Sequence, residues 1–511
     1  MKYIFFILAC MCVTQNQAQI QGWSRSYELY PAQESTMRHA IFRDTVYLKS
    51  FCICYDNDEC SFLSKIDSGG NLIETLEFHK PGKGIQIGGL SNIILFDNKY
   101  LFTGDDNWEN DSTARQNQHI YSVNKDLKTF DRNLLPLVDG KYQYGVDLVN
   151  FGDSIVIVQG IKIISTPNPF KSRMNIICMD SNNVIKWQYQ YNDPQGWFRQ
   201  ETGGLIKNSD TSFIVSMRVG WWRIQYFCMN LKGELLWEYT EDNGPVDDLI
   251  DPSTFEPYIA DVNGKVLIRV WSVDSPNYQH LSPEISRLDY QGNKKWTVPL
   301  RDDYGGPGFF PWTKSTVIVG NKIQQLVKAK NGDILGVGYC LLSENYWTTG
   351  VPYYNLGYAF RIDTSGKILW ERFYLDLDKD KYGDQYLFNV AEADDGAIYL
   401  SGTLRDSLPK GTPGTGNDNI WLIKVGPDGC ITPGCNDTLV QVSTTKILNK
   451  HPYLLTVFPN PGSDQVTIGW NDVPSPPKTL EIRTMAGQLI RSDHIDGNGG
   501  NATIDVSYLQ G

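Results

Sequence analysis

Hydrophobic residues along the chain fall into short runs that alternate with turn-forming residues, a pattern typical of β-strands joined by tight turns. In "RIDTSGKILWERFYLD" (361–376), two such runs flank a turn that contains Asp363 and Gly366. The same frame recurs with reference residues Asp67, Asn124, Asp180, Asn230, Asp289 and Gly426. Three residues later comes Gly or Asn in every copy except the one at Asn124. Because Gly and Asn accept a positive φ, this position predicts a hairpin turn.

A second motif alternates with the first and consists of a polar turn that leads into an apolar strand. Examples are "RDTVYLKSF", "NGDILGVGY" and "DGAIYLSGT". Each repeat therefore contains about four short strands and no helical stretch, which is the unit of a β-propeller blade. The pattern predicts an all-β chain and excludes a doubly wound α/β sheet, which needs a helix between successive strands.

The segments at the two ends of the repeat array are each incomplete, and each has the part that the other lacks. The last copy, "NIWLIKVGPDGC" (419–430), has no Trp-containing strand after its turn, whereas "GWSRSYELY" near the N-terminus lacks a turn before it. Trp23-x-Arg25-x-Tyr27 matches the spacing of Trp370-x-Arg372-x-Tyr374. We therefore predict that residues 22–30 complete the last blade. The expected fold is a seven-bladed β-propeller over residues 22–437, closed by strands from both ends.

The turn "DTSGKILW" resembles the repeat of pyrroloquinoline-quinone-type (quinoprotein-type) propellers. In that family a Gly-x-x-x-Trp element docks neighbouring blades together. The resemblance implies the propeller fold and a structural role for the repeated tryptophans Trp187, Trp237, Trp296 and Trp370.

The C-terminus resembles the type A sorting domain of type IX secretion system proteins. The resemblance rests on Pro459-Asn460-Pro461 in "VFPNPGSDQVTIGW", on the "MAGQLI" hairpin and on "IDVSYLQG". It implies a small β-sandwich at residues 455–511, handled by the type IX secretion machinery. The family pattern continues beyond Gly511 with a final strand, so we expect the sorting domain to be truncated here. Residues 438–454 lack the repeat motif and are predicted to be a linker.

The N-terminus has the features of an export signal. Lys2 precedes an apolar run over residues 4–13, and the small residue Ala18 follows a polar stretch. We predict a signal peptide over residues 1–18, too short to span a membrane. With the sorting domain, this predicts a secreted or outer-membrane surface protein that passes through the periplasm and has no transmembrane segment.

Charge and cysteine content narrow the function classes. The net charge of −12 with no Lys/Arg run argues against a nucleic-acid partner. An oxidising compartment permits disulfides, and the short spacings predict bonds Cys430–Cys435 and Cys54–Cys60. We expect a monomer.

No zinc-protease, nucleophile-elbow or phosphate-loop motif occurs in the sequence, so no catalytic residue or cofactor site is predicted. In "DLDKDKYGD" the alternating carboxylates of Asp376, Asp378, Asp380 and Asp384 suggest either a calcium site or a solvated acidic loop.

Two insertions between Asp289 and Asp363 are rich in aromatic residues: Phe309, Phe310, Trp312, Tyr346, Trp347, Tyr353 and Tyr354. These residues are candidates for ligand binding, because flat rings with polar tips stack on sugars and grip partners. Alternatively, they fold over their own blade. The sequence therefore favours a surface or secreted binding module for a glycan or a protein. The alternatives are an exported glycan-active hydrolase or lyase and a non-catalytic envelope scaffold.

Overall fold

The computed structural model describes most of the strands of the chain and the tight turns between them. It describes residues 20–28, 33–42, 45–53, 59–78, 85–86, 92–106, 117–135, 142–163, 171–191, 200–219, 223–242, 265–275, 278–288, 294–300, 316–344, 353–376, 384–405, 418–435, 439–442, 444–448, 456–458, 465–469, 479–483, 489–494 and 501–505. The chain divides into two compact units, Met1–Ile447 and Leu448–Gly511.

The first unit begins with strand β1 (Trp23–Glu28) and continues into four separate antiparallel sheets. The first sheet contains β2 (Gln33–Phe42), β3 (Thr45–Ile53), β4 (Glu59–Ile66) and β5 (Leu72–Phe78). The second contains β6 (Ile85–Gln86), β7 (Ile94–Phe96), β8 (Lys99–Asp106), β9 (Asn117–Asn124) and β10 (Phe130–Leu134). The third contains β11 (Tyr142–Asn150), β12 (Ser154–Ile163), β13 (Lys171–Asp180) and β14 (Ile185–Tyr191). The fourth contains β15 (Gln200–Lys207), β16 (Ser212–Val219), β17 (Arg223–Asn230) and β18 (Leu235–Asp242).

An eight-stranded sheet follows and contains two successive meanders. The first is β19 (Lys265–Ser275), β20 (Tyr278–Leu288) and β21 (Lys294–Pro299). The second is β22 (Thr316–Lys328), β23 (Ile334–Glu344), β24 (Tyr353–Ile362) and β25 (Ile368–Asp376). A single parallel bridge between Leu281 and Gly320 joins the two meanders. Each meander has the antiparallel order of a β-propeller blade.

The last sheet of the unit combines strands from both ends of the chain. It contains β26 (Gln385–Glu392), β27 (Ile398–Arg405) and β28 (Asp418–Val425), then β1, then β30 (Thr444–Leu448). β1 and β28 pair antiparallel, with Trp23 opposite Lys424 and Tyr27 opposite Ile420. The orphan N-terminal segment therefore lies in the sheet for which the sequence predicts it.

The stretch for which the sequence predicts a linker contains two strands. β29 (Leu439–Val442) pairs in parallel with β25, and β30 pairs with β1. The repeat motif is absent from this stretch because these strands follow no hairpin. The alternation of Val440 and Val442 with exposed Gln441 is nevertheless typical of a strand that packs on one face.

The second unit is also composed of strands. One sheet contains β31 (Thr456–Phe458), β32 (Gln465–Gly469) and β35 (Asn501–Asp505), and another pairs β33 (Thr479–Arg483) with β34 (Leu489–His494).

The repeated Asp or Asn organises each hairpin turn through its side-chain oxygen. Asp363 Oδ1 accepts hydrogen bonds from the N–H groups of Ser365 and Lys367, both at 2.9 Å. Asp67, Asp180 and Asn230 make the same pair of contacts in their own turns. The residue three positions on has a positive φ, as predicted, in the copies with Gly70, Asn183, Gly233, Gly366 and Gly429. The copy at Asn124 also follows this geometry, because Leu127 has a φ of 51°.

The repeated tryptophan contacts the turn of the next sheet or, in the case of Trp296, of the next meander in the same sheet. Trp187 Nε1 donates to the carbonyl of Leu231 at 2.7 Å, and its ring lies against Gly233. Trp370 Nε1 donates to the carbonyl of Pro427 at 2.9 Å, and Trp296 contacts Thr364 and Gly366 in the same way. Each glycine leaves room for an indole ring where a side chain would stand. These contacts dock the turn ends of neighbouring sheets on one another.

The N-terminal strand makes the corresponding contacts with the first sheet. Trp23 Nε1 donates to the carbonyl of Ser68 at 2.9 Å, and Tyr27 Oη donates to the carbonyl of Gly70 at 2.9 Å. Tyr374 Oη makes the equivalent bond to Gly429, at 2.8 Å. The shared Trp-x-Arg-x-Tyr spacing therefore corresponds to shared contacts.

Polar side chains also link the first strands of neighbouring sheets. The carboxylate of Asp147, at a β-bulge in β11, accepts hydrogen bonds from the N–H groups of Asn92 and Leu205 at 3.0 and 3.3 Å. Gln325 Oε1 similarly accepts from the N–H of Val390 at 2.7 Å. Apolar cores fill the space between sheets. The strands β26, β27 and β28 of the last sheet form a third meander, and we call this meander and β22–β25 the last two meanders. The core between them contains Trp370, Leu387, Trp421 and Val440.

Candidate functional site

The two ends of each sheet differ in character. Tight turns join the first strand to the second and the third to the fourth, as at residues 393–397 and 363–367. The opposite end, which we call the loop end, carries the longer connections to the third strand and to the next sheet, and these lie outside the described residues. Ligand sites commonly form where a rigid scaffold holds longer connections. The loop end of the last two meanders also holds a polar cluster.

The centre of this cluster is an arginine bound to two carboxylates. Arg405, the last residue of β27, donates from Nε and Nη2 to the two oxygens of Asp418 at 2.6 and 3.0 Å. Its Nη1 donates to Asp384 Oδ2 at 3.1 Å. The hydrogen bonds to Asp418 raise the pKa of Arg405, so the guanidinium stays charged. Two carboxylates around one guanidinium leave this cluster with one net negative charge.

Asn355, from the neighbouring meander, adds an amide to the cluster. Its Nδ2 donates to Asp384 Oδ1 at 2.9 Å and to Tyr386 Oη at 2.8 Å. The side chain is 6% exposed, and its buried Oδ1 has no hydrogen-bond partner among the described residues. A buried acceptor without a partner is costly, and such groups are rare in folded proteins. The arrangement therefore leaves one hydrogen-bond acceptor of the cluster unsatisfied within the described part of the chain.

Aromatic rings lie beside these polar groups. Tyr339 and Tyr386 pack edge to face with centroids 4.8 Å apart, and Phe388 stacks on Tyr386 at 5.8 Å. Burial raises the pKa of Tyr386 well above its ordinary value, and the nearby Asp384 carboxylate raises it further. The Tyr386 hydroxyl therefore remains protonated. The cluster combines ring faces with an excess of hydrogen-bond acceptors, which suits a ligand rich in hydroxyl donors.

Two of the seven aromatic candidates lie at the same loop end. Tyr353 and Tyr354 are the first two residues of β24, opposite Ser343 and Leu342 in the backbone register. The remaining five, Phe309, Phe310, Trp312, Tyr346 and Trp347, lie outside the described residues. Their role in binding stays a prediction.

The carboxylates of the calcium prediction are divided between different surroundings. Asp376 ends β25, is buried, and donates its N–H to Gln385 Oε1 at 2.8 Å. Asp384 binds the guanidinium of Arg405, whereas Asp378 and Asp380 lie outside the described residues. In the part of the chain that the structure describes, no three His, Cys, Asp or Glu residues group as metal ligands. The calcium site stays a prediction.

One of the two predicted disulfides is confirmed. Cys430 and Cys435 are bonded, with Cα atoms 5.8 Å apart. Cys54 lies outside the described residues, and the register of β3 and β4 places Cys52 opposite Cys60. Cys178, Cys228 and Cys340 are buried, and none of the three forms a disulfide with another described residue.

Sequence reasoning missed Asn355, Arg405 and Asp418 as site residues. They come from β24, β27 and β28, and no motif marks them. Their one shared signal is a polar residue at the loop end of an otherwise apolar strand.

The C-terminal segment matches a known protein family. The family model described as "Secretion system C-terminal sorting domain" covers residues 456–511. These residues are a sorting domain. The protein is therefore exported and is either secreted or located at the cell surface. The predicted sorting motif Pro459, Asn460 and Pro461 falls inside the matched range but outside the residues that the structure describes.

Other comparisons give weak similarities. The chain has no match among the curated proteins with which it was compared. Solved structures that resemble it include the β-propeller domain of the Trilobed protease from Pyrococcus furiosus, with 9% identity and a TM-score of 0.35 over 76% of this chain and 93% of that one. A structure of prolyl endopeptidases has 9% identity and a TM-score of 0.42 over 90% of this chain and 55% of that one. An α-L-arabinofuranosidase from Fusarium graminearum has 8% identity and a TM-score of 0.35 over 79% and 97%.

Across the described ranges, the structure has no helix of the length and hydrophobicity that a membrane crossing requires.

Proposed function

We propose that residues 22–437 form a closed seven-bladed β-propeller. The first four sheets, the two meanders of the eight-stranded sheet and the last sheet provide seven strand groups. Pairing of β1 with β28, together with the Trp23 contact to Ser68, supports closure between the last blade and the first. The Trp-to-turn contacts between sheets support a pyrroloquinoline-quinone-type repeat, although no cofactor role follows from it. Residues 1–18 act as the signal peptide in this proposal.

The proposed function is that of an exported binding module that recognises a glycan at the loop end of its last two blades. The observation that carries this proposal is the buried acceptor of Asn355, which has no partner among the described residues and lies in the cluster with Asp384, Arg405 and Tyr386. Sugar hydroxyls would donate to this acceptor and to the surplus carboxylate oxygens. The rings of Tyr339 and Tyr386 would pack against the apolar face of a sugar. The type IX secretion machinery is the proposed export partner.

A glycan array followed by affinity measurement on the full chain tests this proposal. Asn355→Ser removes the amide and should weaken binding about tenfold or more, since polar groups that specify a ligand contribute on this scale. The matched control is Asn182→Ser, at an exposed turn of the third sheet, which should bind as the unaltered chain does. Thermal unfolding checks that both variants are folded. Equal affinity in both variants, or no glycan bound at all, would contradict the proposal.

A glycan-active hydrolase is the second candidate, because Asp384 and Asp418 place two carboxylates at the same loop end. Glycoside hydrolysis needs such a pair about 5–10 Å apart. Both carboxylates here bind one guanidinium, which favours a binding role. Chromogenic glycosides decide between the candidates: turnover that disappears in Asp384→Asn or Asp418→Asn would establish the enzyme. Saturable binding without turnover would support the module.

A further inference from the structure

The segment between the disulfide and the sorting domain is built into the edges of two sheets. We call residues 439–448 the strap. Its first strand, β29, runs parallel to β25, with Leu439 opposite Phe373 and Val442 opposite Asp376. Val440 and Val442 are buried in the core between the last two meanders. The strap is thereby anchored on one side by apolar packing.

The second strand of the strap, β30, lies along the outer side of β1. Ser24 Oγ on β1 lies 2.7 Å from Thr444 Oγ1 on β30. The same Ser24 Oγ accepts a hydrogen bond from Trp421 Nε1 on β28 at 3.0 Å. One buried hydroxyl therefore connects three strands, two of which come from the C-terminal part of the unit.

The start of β1 is also enclosed by C-terminal residues. The Gly22 N–H donates to the carbonyl of Ile431 at 2.8 Å. A Cβ added at Gly22 would lie 2.4 Å from the carbonyl oxygen of Lys424, so the backbones approach as closely as glycine permits. Ile431 lies between the bonded cysteines Cys430 and Cys435, which fix this loop.

We propose that the strap is a clasp that holds the N-terminal strand in the last sheet. Without β30, β1 would be the edge strand of that sheet, and terminal edge strands open locally more readily than interior strands. Because β29 and β30 are neighbours in the sequence, the packing of Val440 and Val442 also restrains β30, and through β30 it restrains β1. Residues 439–447 of the strap belong to the first unit, and in this proposal they help to retain β1.

Hydrogen exchange on the full-length chain tests the clasp. Val442→Asp places a carboxylate in the apolar core and should release β29, whereas Gln441→Asp changes the exposed neighbour on the same strand. We expect the peptide that covers β1 to lose protection about tenfold in Val442→Asp. We expect no change in Gln441→Asp. Peptides from β12 and β13, in the third sheet, provide the internal reference.

Thr444→Val provides a milder variant that removes the hydroxyl contact to Ser24 without burying a charge. It should lower the protection of β1 alone, and it decides the question if Val442→Asp does not fold. Unchanged protection of β1 in both variants overturns the proposal. Equal loss of protection in the third sheet also overturns it, because the strap would then stabilise the whole unit and would not act on β1.

Discussion

At the scale of single residues, the contact between an indole ring and a turn glycine recurs four times in the described part of the first unit. Trp187 and Trp370 each lie against a glycine of the next sheet, Trp296 lies against Gly366 of the next meander in its own sheet, and Trp23 lies against Gly70 in the first sheet. The glycine serves two purposes there, since its φ is positive and its missing Cβ makes room for the ring. The sequence predicted the positive φ, and the propeller resemblance implied that the tryptophans dock neighbouring blades. Which glycine each ring contacts was not predicted, because the glycine belongs to another repeat.

A comparison of Gly429 with Gly434 distinguishes the effect of the positive φ from the effect of the ring contact. Their φ values are 76° and 78°, but a Cβ at Gly429 would lie 2.9 Å from Trp370, whereas nothing lies within 4 Å at Gly434. Gly434→Ala should cost about 1 kcal/mol for the backbone conformation alone. Gly429→Ala should cost about 1–3 kcal/mol more, because the ring must move. Urea unfolding measures both, and equal costs would show that the indole contact is not tight.

The turn carboxylate of Asp363 should make stability depend on pH. The Ser365 hydroxyl and the Lys367 N–H lower the pKa of Asp363 below its usual value. A lowered pKa means that the unfolded chain binds the proton more tightly. The stabilisation is therefore present above the unfolded pKa of about 3.9 and is lost as the pH falls through the folded value.

Asp363→Asn should weaken this pH dependence while keeping the turn. Asn230 shows that an amide oxygen makes the same two backbone contacts, to Lys232 and Glu234. Thermal melts between about pH 3 and about pH 7 should show a smaller loss of stability at the acid end for the variant. Parallel curves for the variant and the unaltered chain would rule out a contribution from Asp363.

At the scale of elements, β1 illustrates both the strength and the limit of sequence reasoning. Its place beside β28 was predictable because the Trp-x-Arg-x-Tyr spacing repeats a pattern found elsewhere in the chain. The strap was not predictable, because β29 and β30 pair with strands distant in sequence and carry no turn signal. These strands of four and five residues are too short to show a clear pattern of their own, and their positions depend on the sheet edges with which they pair.

Trp23→Phe tests the contact between the N-terminal strand and the first sheet. The variant keeps an aromatic ring but loses the N–H donor to Ser68, and should lower the free energy of unfolding by about 0.5–1.5 kcal/mol. Trp187→Phe is the matched control, because Trp187 makes the same bond to Leu231 between two interior sheets. Denaturant unfolding compares them. A cost for Trp187→Phe without one for Trp23→Phe would show that the N-terminal contact contributes nothing.

At the scale of the whole molecule, the all-β architecture and the sorting domain followed from repetition and from a C-terminal motif. The polar cluster at the loop end did not follow from the sequence. Asn355, Asp384, Arg405 and Asp418 meet through the packing of two meanders, and each is an ordinary polar residue in a strand or, for Asp384, just before one. A repeat predicts what is shared between copies, whereas a site is formed by what differs between them.

The position of β1 between β28 and β30 also bears on the order of folding. Ser24 and Trp421 are in contact across a sequence separation of 397 residues. Contacts of such long range form late, because closing so large a loop costs entropy before the contact contributes any stability. The strand that leaves the ribosome first must therefore wait for strands synthesised near the end of the chain. Until then, β28 has an open edge on which a foreign strand can pair.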